Sequence, residues 1–143
     1  MKLQSKVKLL TIPAIIINSM LIGMATAQAS SSRGFTQTCT DVIIHKGKLF
    51  AICKMIDGRS RRSSINLNSY IANRDGVLVW SEGGNYVNTT KNCKAYSATP
   101  YGSLVPLSYL SCNASTRNRR NSHTTLKLDK HIENINGQLQ YFR

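Results

Sequence analysis

The chain has 143 residues, with 19 Lys and Arg against 6 Asp and Glu, and therefore a formal net charge of +13. That length holds one compact domain, or two small repeats that share a core, because units of about fifty residues rarely bury enough surface to be stable alone. The three histidines lie in no nucleophile, phosphate-loop or paired-carboxylate motif, which argues against an enzyme.

The first 29 residues have the organisation of a secretory signal peptide. Three lysines precede an apolar run at 9–25, and the A-x-A triplet at 27–29 has the form of a cleavage site. A membrane anchor is the competing interpretation, but Pro13 and Asn18 interrupt the apolar run. We therefore predict a secreted protein, extracellular or periplasmic, comprising residues 30–143 and having no membrane span after cleavage. Removal of three lysines lowers its formal charge from +13 to +10.

A sixteen-residue segment occurs twice, as INLNSYIANRDGVLVW at 65–80 and as LKLDKHIENINGQLQY at 126–141. Five aligned positions are identical: Leu67/Leu128, Ile71/Ile132, Asn73/Asn134, Gly76/Gly137 and Leu78/Leu139. The chain is therefore an internal duplication, with repeats at about 35–84 and 85–143.

Each copy predicts a strand, a tight turn and a second strand. Alternation of Ile65 and Leu67 indicates a half-buried strand, and the spacing to Ile71 suits one helical turn at 68–73. Asp75-Gly76 and Asn136-Gly137 are turn dipeptides that favour positive φ angles, and strands are expected at 77–80 and 138–141.

Upstream of each copy the pattern predicts a β-hairpin. The first pairs residues 42–44 with 48–53, and the second pairs 94–96 with 107–112 around a long loop at 97–106. Two glycines within the segment 81–85, which joins the repeats, predict a hinge. A mostly β fold with one or two single helical turns follows.

The four cysteines lie two in each repeat, and export favours disulfide bonds. Three pairings are formally open, but the duplication favours Cys39 with Cys53 and Cys93 with Cys112. A zinc site is the rival interpretation, which the spacings of 14, 40 and 19 residues and the lack of a C-x-x-C motif disfavour. No metal or other cofactor is therefore predicted.

Two arginine clusters occupy equivalent places in the repeats, namely Arg59, Arg61 and Arg62, and Arg117, Arg119 and Arg120. They are typical of solvated loops that keep an exported protein soluble. They also suit polyanions such as nucleic acid, lipopolysaccharide or acidic glycans. No aromatic residue interleaves the arginines, which weakens the case for base stacking.

Several motifs together resemble the cyanovirin-N family of lectins, whose domain is called CVNH. They are F-T-Q-T-C at 35–39, the Cys39/Cys53 spacing, SSINLNSYIANRDGVLVW at 63–80, Asn85-Tyr86, and LKLDKHIENINGQLQY at 126–141. The resemblance implies two pseudo-symmetric halves, each with a three-stranded sheet and a β-hairpin, and with strands exchanged between the repeats. It also implies the two local disulfides and non-catalytic binding of mannose-rich glycans or glycoproteins, by a monomer or a domain-swapped homodimer.

The resemblance further implies one carbohydrate site in each half. Site 1 combines the start of repeat one with the turn of repeat two: Gly34, Gln37, Thr38, Lys54, Ile56, Asn134, Ile135 and Asn136. Site 2 combines the turn of repeat one, the linker and the segment after the fourth cysteine: Asn73, Asp75, Asn85, Asn88, Asn113, Ser115 and Arg117. About three extra residues before Cys93, and two more after Cys112, are expected to reshape site 2 or remove it.

The role of the turn asparagines stays open from the residues alone. The asparagines of the two turns suit sugar hydroxyls, because an amide both donates and accepts hydrogen bonds, but turn geometry alone would also select them.

Three positions that are acidic in the family pattern are occupied here by Lys54, Ala72 and Asn136. This difference favours a shift of specificity towards acidic or differently linked glycans. The alternative function is a basic module that binds polyanions and acidic surfaces through its arginine clusters. Trp80 and Tyr141 are predicted to be core aromatics.

Overall fold

The computed structural model describes residues 34–143, so the predicted signal peptide at 1–29 lies outside the described residues. Within this part of the chain the structure has short 3-10 helices and no α-helix, in agreement with the mostly β prediction. The strands are β1 Cys39–His45, β2 Lys48–Lys54, β3 Ser60–Asn66, β4 Ile71–Arg74, β5 Val77–Trp80, β6 Thr90–Ala98, β7 Leu107–Ser115, β8 Asn121–Lys127, β9 Ile132–Ile135 and β10 Gln138–Tyr141.

The strands form two three-stranded antiparallel sheets, β1-β2-β3 and β6-β7-β8, and two hairpins, β4-β5 and β9-β10. Both hairpin turns have the predicted dipeptides with positive φ angles, 52° and 88° at Asp75-Gly76 and 49° and 82° at Asn136-Gly137. Two consecutive positive φ angles are what a two-residue turn of a right-twisted hairpin requires.

Each hairpin packs against the sheet of the other repeat. The Leu78 amide of β5 donates a 3.1 Å hydrogen bond to Thr124 Oγ1 on β8. Correspondingly, the Leu139 amide of β10 donates a 2.8 Å bond to Ser63 Oγ on β3. A two-stranded hairpin is barely stable alone, so burial of its one apolar face requires this partner. The predicted exchange of strands between repeats is confirmed.

The strands of the two halves pair in the same register, with constant residue offsets between corresponding strands. From β2 to β5 every element has its counterpart 61 residues later, and β1 has its counterpart, β6, 51 residues later. The pair His45↔Lys48 thus corresponds to Tyr96↔Tyr109. The difference of ten residues lies in the β6-β7 hairpin, whose loop at 99–106 leaves Tyr101 and Leu104 fully exposed.

Both predicted disulfides are present, but they are not equivalent in position. Cys39 pairs with Cys53 across the ladder, and the corresponding pair in the second half is Thr90↔Ala114. Cys93 and Cys112 instead occupy the places of Val42 and Ala51. The extra residues expected around site 2 are therefore absent, because the cysteines have moved along the ladder and the backbone has not been lengthened there.

Two local expectations are corrected by the structure. The predicted helical turn is a 3-10 helix at Leu67–Ser69, and Ile71 already begins β4. Arg61 and Arg62 lie on β3 and not in a loop. The hinge expected at the linker glycines stays a prediction; in this structure the Gly83 amide donates to Ser69 O at 2.8 Å.

One continuous core joins both halves, with Phe35, Leu67, Tyr86 and Leu128 among its fully buried members. Trp80 and Tyr141 are half-buried and pack against this core, as predicted. Tyr141 also stacks on Tyr70, with ring centroids 4.2 Å apart, so the ends of the two exchanged hairpins meet in one aromatic cluster.

The register predicts that the second disulfide can be moved by three residues on β6 and by two on β7, to the place that Cys39–Cys53 occupies in the first half. In the variant Cys93→Val, Cys112→Ala, Thr90→Cys and Ala114→Cys, the new cysteines face each other as Cys39 and Cys53 do, whose Cα atoms lie 4.0 Å apart. We expect peptide mapping to find a bond between positions 90 and 114.

The matched control is the double variant Cys93→Val and Cys112→Ala, which should lose about 2–4 kcal/mol of the free energy of unfolding. The four-fold variant should recover most of that loss. Free thiols at positions 90 and 114 after oxidative folding would contradict the register equivalence of the two halves.

Candidate functional site

Site 1 forms where the β9-β10 turn meets the loop that follows β2. The Asn134 side-chain amide donates to Thr38 Oγ1 at 3.0 Å and to the Lys54 carbonyl at 2.8 Å. Its Oδ1 accepts the Gly137 amide at 2.7 Å, and Asn136 Oδ1 accepts the Ile56 amide at 2.9 Å. The structure thus brings the predicted residues of both repeats together at one place.

Site 2 repeats this arrangement in the other half. The Asn73 side-chain amide donates to the Ser115 carbonyl at 2.8 Å and to the Thr89 carbonyl at 3.4 Å. Asn73 Oδ1 accepts the Gly76 amide at 2.8 Å, and Asp75 Oδ1 accepts the Arg117 amide at 2.7 Å. The result is an open depression of about 490 Å³, lined by Asn73, Arg74, Asp75, Thr89, Ser115, Thr116 and Arg117.

The two turn asparagines, Asn73 and Asn134, hold the exchanged hairpins in place. Each uses both side-chain hydrogens and the oxygen in protein hydrogen bonds, so little of the amide is left for a ligand. The groups free to meet a ligand are their exposed neighbours. At site 1 these are Gln37, Lys54, Ile56, Ile135 and the Asn136 amide nitrogen, and at site 2 they are Arg74, Asp75, Ser115 and Arg117. Asn88 is exposed nearby in sequence but is absent from the lining of the site 2 depression.

Three predicted residues lie apart from these surfaces. Gly34 is buried, and a Cβ there would collide with Asp129, so its role is close approach of the backbone. The Asn85 side chain accepts a 2.9 Å hydrogen bond from Asn68 and thereby fixes the linker. Asn113 is half-buried in β7 and is absent from the lining of the site 2 depression.

The sequence interpretation missed Arg74 and Thr89, both of which line the site 2 depression. Their counterparts at site 1 are Ile135 and Thr38, at offsets of 61 and 51 residues. An alignment by ladder register would have found them, but the displaced cysteines concealed that register.

Beneath site 1, Asp129 fixes the 3-10 helix Phe35–Gln37, which carries Gln37. Its nearly buried carboxylate accepts the Thr36 amide at 3.0 Å, the Thr36 hydroxyl at 2.7 Å and the Ser108 amide at 2.6 Å. Three donors replace the water that the charge loses on burial. No sequence signal marked this residue, because an isolated Asp in a turn is ordinary.

Asn68 is the counterpart of Asp129 beneath site 2. Its Oδ1 accepts the Val87 amide at 3.0 Å, which helps to hold the 3-10 helix Tyr86–Thr89 that carries Asn88. Tyr86 itself is fully buried under this helix, and burial raises the pKa of its hydroxyl from 10.0 to about 12. No group of residues 34–143 forms a hydrogen bond with that hydroxyl.

Metal chemistry finds no support in residues 34–143, which contain no cluster of His, Cys, Asp or Glu placed to hold an ion. Across the same part of the chain, no helix has the length and apolar character needed to cross a membrane.

Two ion pairs are present within residues 34–143, Arg59–Asp57 and Arg143–Glu82, both at 2.7 Å between exposed side chains. Exposed pairs of this kind contribute little to stability.

These features define a class of two-fold pseudo-symmetric β-proteins whose exchanged hairpins build one surface site in each half. Residues 35–140 match the model of the CVNH domain, and the chain belongs to this family of cyanovirin-N homologue lectins. Such lectins bind carbohydrate and are in general not catalytic.

Solved structures agree with this assignment. GzCVNH of Gibberella zeae is 21% identical with a TM-score of 0.65, covering 76% of this chain and 97% of its own. Microvirin, solved with mannobiose, is 25% identical with a TM-score of 0.61, covering 77% and 99%. A variant of MoCVNH3, solved with (N-GlcNAc)4, is 18% identical with a TM-score of 0.62, covering 76% and 96%.

The buried Tyr86 hydroxyl predicts a pH dependence of stability. The folded state binds this proton more tightly than the unfolded state, so the contribution is complete below pH 10 and is lost as the pH rises towards 12. The variant Tyr86→Phe lacks this term, so its free energy of unfolding should improve relative to the parent by about 2–3 kcal/mol between pH 10 and 12.

Tyr101→Phe is the matched control, because Tyr101 is fully exposed and should follow the parent protein. The measurement is urea unfolding at several alkaline pH values. Parallel stability curves for the parent and Tyr86→Phe would refute the assignment.

Proposed function

We propose that this chain is an exported, non-catalytic lectin that binds mannose-rich or related neutral glycans at site 1. The observation that carries the proposal is the construction of two surface sites from hairpins that the opposite half holds in place. This arrangement of backbone and turn hydrogen bonds positions the neighbouring side chains and leaves their polar groups free to bind a ligand. In support, microvirin was solved with mannobiose and the MoCVNH3 variant with (N-GlcNAc)4.

The chemistry of site 1 suits a neutral sugar. Hexose hydroxyls donate and accept hydrogen bonds, and the exposed Gln37 amide can do both. The Lys54 ammonium can only donate, so it would meet a hydroxyl oxygen. Ile56 and Ile135 are 74% and 47% exposed beside these groups, and the C–H faces of a sugar ring can cover such apolar surface.

A shallow site with a few net hydrogen bonds of about 1 kcal/mol each should bind a disaccharide with a Kd of micromolar to millimolar order. Two sites on one chain would raise the apparent affinity for a glycoprotein, because the second contact becomes intramolecular. A domain-swapped dimer would extend the same effect to four sites.

The polyanion module is the second candidate, and one observation favours it. Arg61 and Arg62 are exposed on β3, and the aliphatic stem of Arg61 lies over the Gly137 turn at the edge of site 1. If these arginines and not the polar groups of site 1 hold the ligand, binding should collapse in salt and ignore neutral mannosides.

The test uses calorimetric titration of the processed protein with mannobiose and an oligomannose glycan at moderate salt. We expect Gln37→Ala with Lys54→Ala to weaken binding at site 1 by about tenfold or more, because two ligand hydrogen bonds are lost. Both side chains are exposed, so the melting temperature should stay within a few degrees of the parent.

The exposed Thr125→Ala on β8 is the matched control and should bind like the parent. The pair Arg61→Gln and Arg62→Gln separates the two candidates. If the parent protein binds neither neutral glycan but binds a sulfated polysaccharide, and this pair abolishes that binding, the lectin proposal is wrong and the polyanion module replaces it.

A further inference from the structure

The two sites share one backbone frame but present different chemistry to a ligand. The bond from the turn asparagine to the strand-end carbonyl measures 2.8 Å at both sites, from Asn134 to Lys54 and from Asn73 to Ser115. Two residues beyond that carbonyl, a backbone amide donates to the first residue of the turn dipeptide, from Ile56 to Asn136 Oδ1 at 2.9 Å and from Arg117 to Asp75 Oδ1 at 2.7 Å. Differences in ligand preference must therefore come from the side chains on this frame.

Two exposed positions change from apolar to cationic between the sites. Ile56 of site 1 corresponds to Arg117 of site 2, and Ile135 corresponds to Arg74, each at an offset of 61 residues. Both arginines line the same open depression. The ion pairs found within residues 34–143 involve neither of them, so both guanidinium groups are available to an acidic ligand.

A carboxylate shares this surface and narrows the class of ligand. Asp75 replaces Asn136, and one of its oxygens accepts the Arg117 amide at 2.7 Å. The remaining lone pairs can accept a hydrogen bond from a sugar hydroxyl, a donor that a fully ionised free anion lacks. The site thus offers guanidinium forks for an acidic group beside an acceptor for hydroxyl groups.

We propose that site 2 prefers glycans that carry an acidic group, namely a phosphate ester, sulfate or carboxylate, through Arg74 and Arg117. This inference rests on the proposed lectin function and adds that the two halves of the molecule bind different glycans. Arg119 and Arg120 extend the positive charge along the loop that joins β7 to β8, which should favour approach of an acidic glycan at low salt.

The experiment titrates the ¹⁵N-labelled processed protein with mannobiose, mannobiose 6-phosphate and inorganic phosphate. Backbone amides of Ile56 and Gly137 report site 1, and those of Arg117 and Gly76 report site 2. We expect mannobiose 6-phosphate to bind site 2 at least about tenfold more tightly than mannobiose, with a preference that falls as salt increases.

The chain supplies its own matched variants. Arg74→Ile with Arg117→Ile gives site 2 the residues of site 1 and should abolish the preference there, while titration at site 1 stays unchanged. The reciprocal Ile56→Arg with Ile135→Arg should confer the preference on site 1. All four side chains are exposed, so melting temperatures should change little.

Each outcome decides something definite. Equal affinity of the phosphorylated and neutral disaccharides at site 2 overturns this inference, and neutral binding at site 1 then leaves the lectin function standing. Inorganic phosphate that binds site 2 as tightly as the phosphorylated sugar also overturns it, since the site would then recognise the anion alone. Absence of any sugar binding at both sites overturns the lectin function itself.

Discussion

The structure depends on the side-chain amide of one asparagine in each exchanged hairpin. Asn134 and Asn73 each close their own turn through the oxygen and join the opposite half through the nitrogen. A hairpin of two four-residue strands buries only one face, so it needs this attachment as well as the apolar contact of Leu139 or Leu78. The same bonds set the positions of the exposed residues around each turn, so stability and the geometry of the candidate site depend on one interaction.

Duplication then allowed the two sites to diverge. The frame residues are the same in type at the turn asparagines and glycines, whereas Ile56, Ile135 and Lys54 become Arg117, Arg74 and Ser115. The frame bonds use mainly backbone groups of the receiving strand and loop, so the side chains there can change at little cost to the fold. At Asp129 and Asn68, too, the residue that holds the backbone differs from the residue that is exposed. Each of them fixes a 3-10 helix through a backbone amide, while Gln37 and Asn88 on those helices stay exposed.

Much of the fold could be predicted from the sequence because its signals are local. The turn dipeptides, the alternation in β5 and β10 and the cysteine pairs each depend on neighbours within about twenty residues. The exchange of hairpins was predictable only through the family resemblance, since nothing in the pattern of 71–80 says which sheet will cover it. The second site was harder to predict from the sequence. Cys93 and Cys112 lie at other ladder positions than Cys39 and Cys53, so an alignment on the cysteines suggested inserted residues that the backbone does not have.

The site residues divide in the same way. Asn134 and Asn136 were predicted as ligand groups or as turn residues, and the structure gives them turn and docking bonds that short-range pattern could not reveal. Asp129 was not predicted at all, because its partners Thr36 and Ser108 lie 93 and 21 residues away in the chain. Long-range hydrogen bonds of this kind leave no periodic trace in a sequence.

The central claim is that the turn asparagine joins the halves and positions the site, and Asn134→Ala tests it directly. The variant removes three protein hydrogen bonds, so the free energy of unfolding should fall by about 2–4 kcal/mol. Hydrogen exchange of the Ile56 and Gly137 amides should accelerate, while the corresponding Arg117 and Gly76 amides of the other half stay protected. Unchanged stability, together with unchanged protection of the Ile56 and Gly137 amides, would contradict the account.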